Sequence, residues 1–82
     1  MPTITLYGRP GCHLCDEARD QLLALAPELG FELAERDIEA DDDLLRRYLE
    51  RIPVIALDGE ELFDYFVDEA VLRMRLGRVD RA

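Results

Sequence analysis

The run Thr3–Tyr7 (TITLY) is rich in β-branched and aromatic residues. Gly8-Arg9-Pro10-Gly11 follows with turn residues, and a helical pattern begins at Cys12. This junction constrains the fold more than any other feature, because it ties a strand and a helix to the only two cysteines of the chain, Cys12 and Cys15. Cys12 falls at the predicted helix N-terminus, where unpaired backbone N–H groups and the positive end of the macrodipole stabilise a thiolate. Cys15 lies one turn on, and its phase continues through Ala18, Leu22 and Leu25 along the apolar stripe, which predicts the more sheltered sulfur. A reachable first sulfur and a sheltered second one are what thiol–disulfide exchange requires.

Such a pair has two other common uses, and the residues bear on both. As a structural staple it closes a loop of about four residues, which is worth only ~2 kcal/mol by loop entropy. As a metal site it is short of ligands: the chain has two Cys and one His, and His13 lies between the cysteines. A closed four-ligand zinc site then needs carboxylates or a second subunit. Asp16 rather than His follows Cys15, so the haem-attachment pattern is absent.

At 82 residues, 49% of them apolar, the chain is expected to form a single domain over residues 1–82 with one core. No apolar run reaches membrane-spanning length, and MPTITLYGRPG lacks the basic region and long apolar stretch of a signal peptide, so the expected compartment is the cytoplasm. There, closely spaced cysteines are more often catalytic or metal-binding than structural. A net charge of −9 opposes association with nucleic acid or an anionic membrane, and a monomer is expected. All ten basic residues are Arg. The acidic cluster Glu39–Asp43 (EADDD) precedes Leu44-Leu45 and reads as a helix start, since carboxylates are favoured in a first turn.

The remaining pattern predicts a first helix over Cys12–Ala26 with Leu14, Ala18, Leu22, Leu25 and Leu29 toward the core, closed by Pro27 and Gly30. Phe31–Arg36 reads as a second strand, parallel to the first because a helix joins them. A second helix spans Asp42–Leu49. Val54–Leu57 (VIAL) is an unbroken apolar run, as in a strand buried on both faces, and Asp58-Gly59 is a hairpin signal leading to an edge strand at Glu60–Phe63. A third helix covers Asp68–Leu76, with Val67, Val71 and Met74 on one stripe and Leu72 and Leu76 beside it. Gly77 is its stop, and Arg78–Ala82 a fraying tail.

This βαβαββα order, with a Cys pair after the first strand and a proline before the third, resembles the thioredoxin-fold superfamily and, within it, the glutaredoxin-like proteins, over nearly the whole chain. In LYGRPGCHLC, Tyr7, Arg9, Pro10, Cys12 and Cys15 stand on matching positions, and Arg51-Ile52-Pro53 stands where that family carries Thr-Val-Pro. The resemblance implies an α/β thioredoxin-like fold, a four-stranded mixed sheet flanked by three helices. It also implies a cis Ile52-Pro53 bond facing the cysteines, where the Ile52 backbone pairs with an extended substrate. Read from the residues alone, Pro53 is equally an ordinary strand-start proline. The segment Leu62–Asp68 departs from the family by carrying bulky residues where the Gly-Gly turn precedes an Asp, and His13-Leu14 replaces the common Pro-Tyr. A cationic His13 stabilises the Cys12 thiolate; an uninvolved imidazole on the first turn is the alternative.

The implied activity is reduction or exchange of protein or small-molecule disulfides, with Cys12 as nucleophile and Cys15 resolving. Arg9, His13, Arg51, Ile52 and Pro53 lie on the substrate side, with no metal, no bound cofactor and glutathione as a reductant. A redox-inactive binding module on the same fold, or a dimeric metal or iron–sulfur carrier using Cys12, are the competing classes.

Overall fold

The computed structural model describes residues 1–77. Along the chain run β1 (Thr3–Gly8), α1 (His13–Leu29), β2 (Glu32–Asp37), a 3₁₀ turn (Ile38–Ala40), α2 (Asp42–Tyr48), β3 (Val54–Leu57), β4 (Glu60–Asp64) and α3 (Glu69–Gly77). The strands form one sheet in the order β2-β1-β3-β4, with β4 at an edge. β1 is parallel to β2 and antiparallel to β3, and β3 is antiparallel to β4. This is the expected α/β thioredoxin-like architecture. Among the described residues no helix is long and apolar enough to cross a membrane.

Successive strand side chains point to opposite faces, and β3 shows what that does here. Ile55 packs with Ile4, Leu6, Leu22 and Leu72 on the face covered by α1 and α3, while its neighbour Val54 packs with Ile38, Leu44 and Tyr48 on the other. A strand buried on both faces has no polar alternation, hence the unbroken VIAL run. The hairpin after it needs positive φ at both central residues. Asp58 (φ 49°) and Gly59 (φ 92°) supply it, and Asp58 Oδ1 accepts the Thr3 N–H at 2.9 Å.

Several expectations are corrected. Leu14 is 48% exposed rather than in the core: Cys15 already packs against Gly8, the last residue of β1, so the turn before it has no strand to cover. Pro27 lies inside α1 instead of closing it. The carbonyl its missing N–H would have engaged belongs to Leu23, an exposed residue on the solvent side of the helix, where losing an intrahelical bond costs least. Gly30 does close the helix, in the left-handed conformation (φ 76°), with its N–H donating to the Ala26 carbonyl. Phe31 N–H donates to the same carbonyl, so β2 starts one residue later than predicted.

On α3 the buried stripe is Leu72 and Leu76, continuing Val67, whereas Val71 and Met74 face solvent. Burial of Leu72 and Leu76 in the core sets the rotation of α3 and leaves Met74 outward, and on the surface Arg73 pairs with Glu28 of α1 and with Glu69. The 3₁₀ turn, absent from the sequence reading, is capped by the Asp37 side chain on the Glu39 N–H and buries Ile38. The expected fraying of Arg78–Ala82 lies outside the described residues.

The acidic cluster behaves as a helix start. Asp41 is the N-cap of α2, its Oδ1 accepting from Asp43 N–H at 2.9 Å and Leu44 N–H at 3.4 Å. Asp41→Ala is expected to cost about 1 kcal/mol, read as a lower urea midpoint at unchanged slope.

Candidate active site

Gly11 (φ 79°) turns the chain out of β1 so that Cys12 takes an extended conformation as the N-cap of α1. The Cys12 Sγ accepts the Cys15 N–H at 3.1 Å, occupying the place a capping oxygen usually holds. There it meets the helix's unpaired N–H groups and positive dipole end, which favour negative charge on this sulfur. Cys12 and Cys15 stand at disulfide distance with their Cα atoms 5.2 Å apart, as two cysteines three residues apart on one helical turn can. Cys12 is half-buried and Cys15 is 6% exposed, the asymmetry expected from the helical phase. Gly8 forms the wall behind the second sulfur: a Cβ there would lie 2.9 Å from Cys15 Sγ.

The Ile52-Pro53 bond is cis. Val54 pairs with Tyr7, so antiparallel register brings Pro53 to the level of Gly8 and hence beside the cysteines. On its other side Pro53 accepts the Tyr65 N–H at 2.8 Å. Tyr65 adopts φ 74°, a left-handed conformation that favours glycine, in the very segment where the resembled family carries Gly-Gly. Its hydroxyl donates to the Glu50 carbonyl at 2.6 Å, which ties this turn to the segment leading into Pro53. Asp68 caps α3, accepting the Val71 N–H at 3.2 Å. Among the described residues no backbone hydrogen bond engages Ile52, whose side chain packs into the second core.

The charged residues named from the sequence are placed differently from one another. Arg51 turns toward β4, bonding Glu61 at 2.6 Å and Asp64 at 3.2 Å, with its guanidinium over the Tyr48 ring. His13 is exposed and sits 2.9 Å from Glu17, one turn on. Arg9 lies 3.6 Å from Glu39. Thus Cys12 and Cys15 stand together with Pro53 at the level of Gly8 behind them, while the Ile52 side chain packs into the second core and Arg51 is engaged with β4. Sequence reasoning missed Gly8, although its small size was part of the motif.

The Arg51 bond, followed by one from the Tyr48 hydroxyl, holds the Glu61 carboxyl below the usual carboxylate range. Burial, then the Glu61 bond, pushes the Tyr48 phenol up. A carboxylate lowered in the folded state adds stability above its unfolded value of about 4.3 and loses it as pH falls through the folded one. Because Glu61 and Arg51 are each more than a third exposed, Glu61→Gln is expected to cost about 0.2–1 kcal/mol at pH 7. The gap from the native protein closes below about pH 4. Urea midpoints at pH 7 and pH 3 check this.

A mixed four-stranded sheet, three helices and a Cys pair at disulfide distance opening the first of them define a thioredoxin-fold protein of the glutaredoxin-like kind. Residues 3–77 match the model of the glutaredoxin-like domain (DUF836), and the chain belongs to that family. The uncharacterized protein Rv0508 of Mycobacterium tuberculosis is 34% identical over 82 residues, covering 94% of this chain and 84% of its own. Protein Ne2328 from Nitrosomonas europaea superposes with a TM-score of 0.81 at 36% identity, over 92% of this chain and 91% of that one. Target protein XcR50 from X. campestris does so with a TM-score of 0.68 at 36% identity, over 96% and 97%. Thioredoxin from Fasciola hepatica, at 22% identity and a TM-score of 0.64 over 94% and 79%, shares the fold alone.

Proposed function

We propose that the protein is a thiol–disulfide oxidoreductase acting on protein or small-molecule disulfides in a reducing cytoplasm. The observation that carries this reading is the Cys12 sulfur at the N-cap of α1 with the sheltered Cys15 at disulfide distance behind it. In the reduced form, the Cys12 thiolate attacks one sulfur of a substrate disulfide and expels the other as thiolate, giving a mixed disulfide. Cys15, as thiolate after losing its proton, then attacks Cys12 and releases the second substrate sulfur. The substrate gains two electrons and the protein is left with a Cys12–Cys15 bond, which a dithiol or glutathione reopens. The unengaged Ile52 backbone supports pairing of an extended substrate beside Pro53. Arg9 turns toward Glu39, away from Pro53; Arg51 acts by holding the Ile52-Pro53 segment to β4, and the exposed His13 faces solvent beside Cys12.

Titration in glutathione and dithiothreitol redox buffers, following the bond by mass, tests the reading. A reversible two-electron transition is expected, together with turnover of a protein disulfide when dithiothreitol is the reductant. No disulfide at any poise would instead mark a redox-inactive binding module.

A further inference from the structure

Among the described residues the non-glycine positions with positive φ are Asp58 and Tyr65. Asp58 is accounted for by the hairpin, whose geometry demands that conformation. Tyr65 is not. Its φ of 74° is one that glycine takes freely and a side chain bearing a Cβ resists, and such outliers persist where the surroundings hold them. What holds Tyr65 is the segment that carries Pro53. Its N–H donates to the Pro53 carbonyl at 2.8 Å, one rung beyond the Val54–Asp64 pair that ends the β3–β4 ladder. With that N–H still in the ladder, the left-handed turn carries the ring back along the segment, where the hydroxyl donates to the Glu50 carbonyl at 2.6 Å.

One residue therefore grips both ends of residues 50–53. Between those ends the Arg51 N–H donates to the Tyr48 carbonyl at 2.8 Å, its side chain bonds Glu61 and Asp64, and Pro53 is fully buried. Among the described residues Ile52 alone of this segment has neither backbone group bonded. A glycine at position 65 would make the same turn and offer the same N–H without strain. What tyrosine adds is the bond to Glu50.

We propose that Tyr65 is a positioning residue for the exchange reaction: by bonding the Glu50 and Pro53 carbonyls it fixes residues 50–53 so that the free Ile52 backbone is in place to pair with the extended chain of a protein disulfide. This rests on the exchange reading above and narrows the preferred substrate to one with a peptide backbone beside its disulfide. Strand addition draws its affinity from main-chain hydrogen bonds, so it depends on the receiving backbone being ordered beforehand. A segment left loose would lose conformational freedom on binding and hold the substrate more weakly.

The test compares native protein, Tyr65→Phe and Tyr65→Gly, each reduced beforehand and mixed in single turnover with insulin or with 2-hydroxyethyl disulfide, which has no peptide backbone. Tyr65→Phe removes the hydroxyl alone and is expected to react about threefold more slowly with insulin, the effect of one lost hydrogen bond. Its rate with 2-hydroxyethyl disulfide is expected to change less than about 1.5-fold, since no strand pairing is involved. Tyr65→Gly is expected to lose at least as much toward insulin and yet to melt no lower than Tyr65→Phe, because glycine takes the left-handed turn freely. Reactivity toward a polypeptide then falls while the fold is kept, which a merely structural role would not produce.

An insulin rate unchanged in Tyr65→Phe, an equal loss with both disulfides, or a Tyr65→Gly protein that melts well below Tyr65→Phe overturns the assignment. So does a native protein that reduces 2-hydroxyethyl disulfide but not insulin. In each of these cases reduction by the native protein leaves the oxidoreductase reading standing. If the native protein reduces neither disulfide, both fall.

Discussion

Mixed with a protein disulfide, the Cys15→Ser variant is expected to accumulate a stable covalent adduct on Cys12, while Cys12→Ser forms no such adduct and turns over no faster than buffer. The asymmetry follows from the two sulfurs' surroundings. Cys12 caps α1, accepts the Cys15 N–H at 3.1 Å and is half-buried, so it is the one stabilised as a thiolate and reachable by a macromolecule. Cys15 is 6% exposed, with Gly8 against it, and meets a substrate only after Cys12 has brought the mixed disulfide to it. Serine keeps the size and loses the nucleophile, so the variants separate attack from resolution without opening a cavity. Non-reducing electrophoresis and intact mass read the outcome. Equal trapping by both variants would show that burial does not order the two steps and would remove the assignment of roles.

How much of this was legible in the sequence depends on whether a residue's role is set locally. Local signals survived intact: the Cys12 helix start, the helix start at the acidic cluster, the Gly30 stop, the Asp58-Gly59 hairpin and the VIAL strand each rest on a few adjacent residues and the backbone they favour. Misreadings fell where a distant partner decides. The rotation of α3 depends on the core that Leu72 and Leu76 meet, built from Ile4, Leu22 and Ile55 far away in sequence, so periodicity alone could not choose between the Leu72 and Met74 stripes. Leu14 has the correct spacing for the core but lies past the end of β1. Arg51 was offered as a substrate ligand, yet Glu61 and Asp64, brought near by the β3–β4 hairpin, engage its donors.

Gly8→Ala puts the packing behind the cysteines to a direct test. The new Cβ would lie 2.9 Å from Cys15 Sγ and 3.1 Å from Cys15 Cβ, closer than non-bonded atoms sit, so either the strand or Cys15 must shift. Overpacking of this kind costs about 1–3 kcal/mol, which in a domain of this size lowers the melting temperature by roughly 4–8 °C per kcal/mol. The two redox states will not suffer equally. In the reduced protein the Cys15 side chain is free to turn away from the new methyl group, whereas in the oxidised protein its sulfur is tethered to Cys12. Destabilising the oxidised state more than the reduced one disfavours the disulfide, so the reduction potential rises. A difference of about 1.4 kcal/mol between the states corresponds to roughly 30 mV for this two-electron couple. Thermal melts of both forms and a redox-buffer titration of the same variant close the cycle. Equal destabilisation of both forms with an unmoved potential would show that β1, not Cys15, gives way, and Gly8 would then be a requirement of the fold rather than of the cysteine pair.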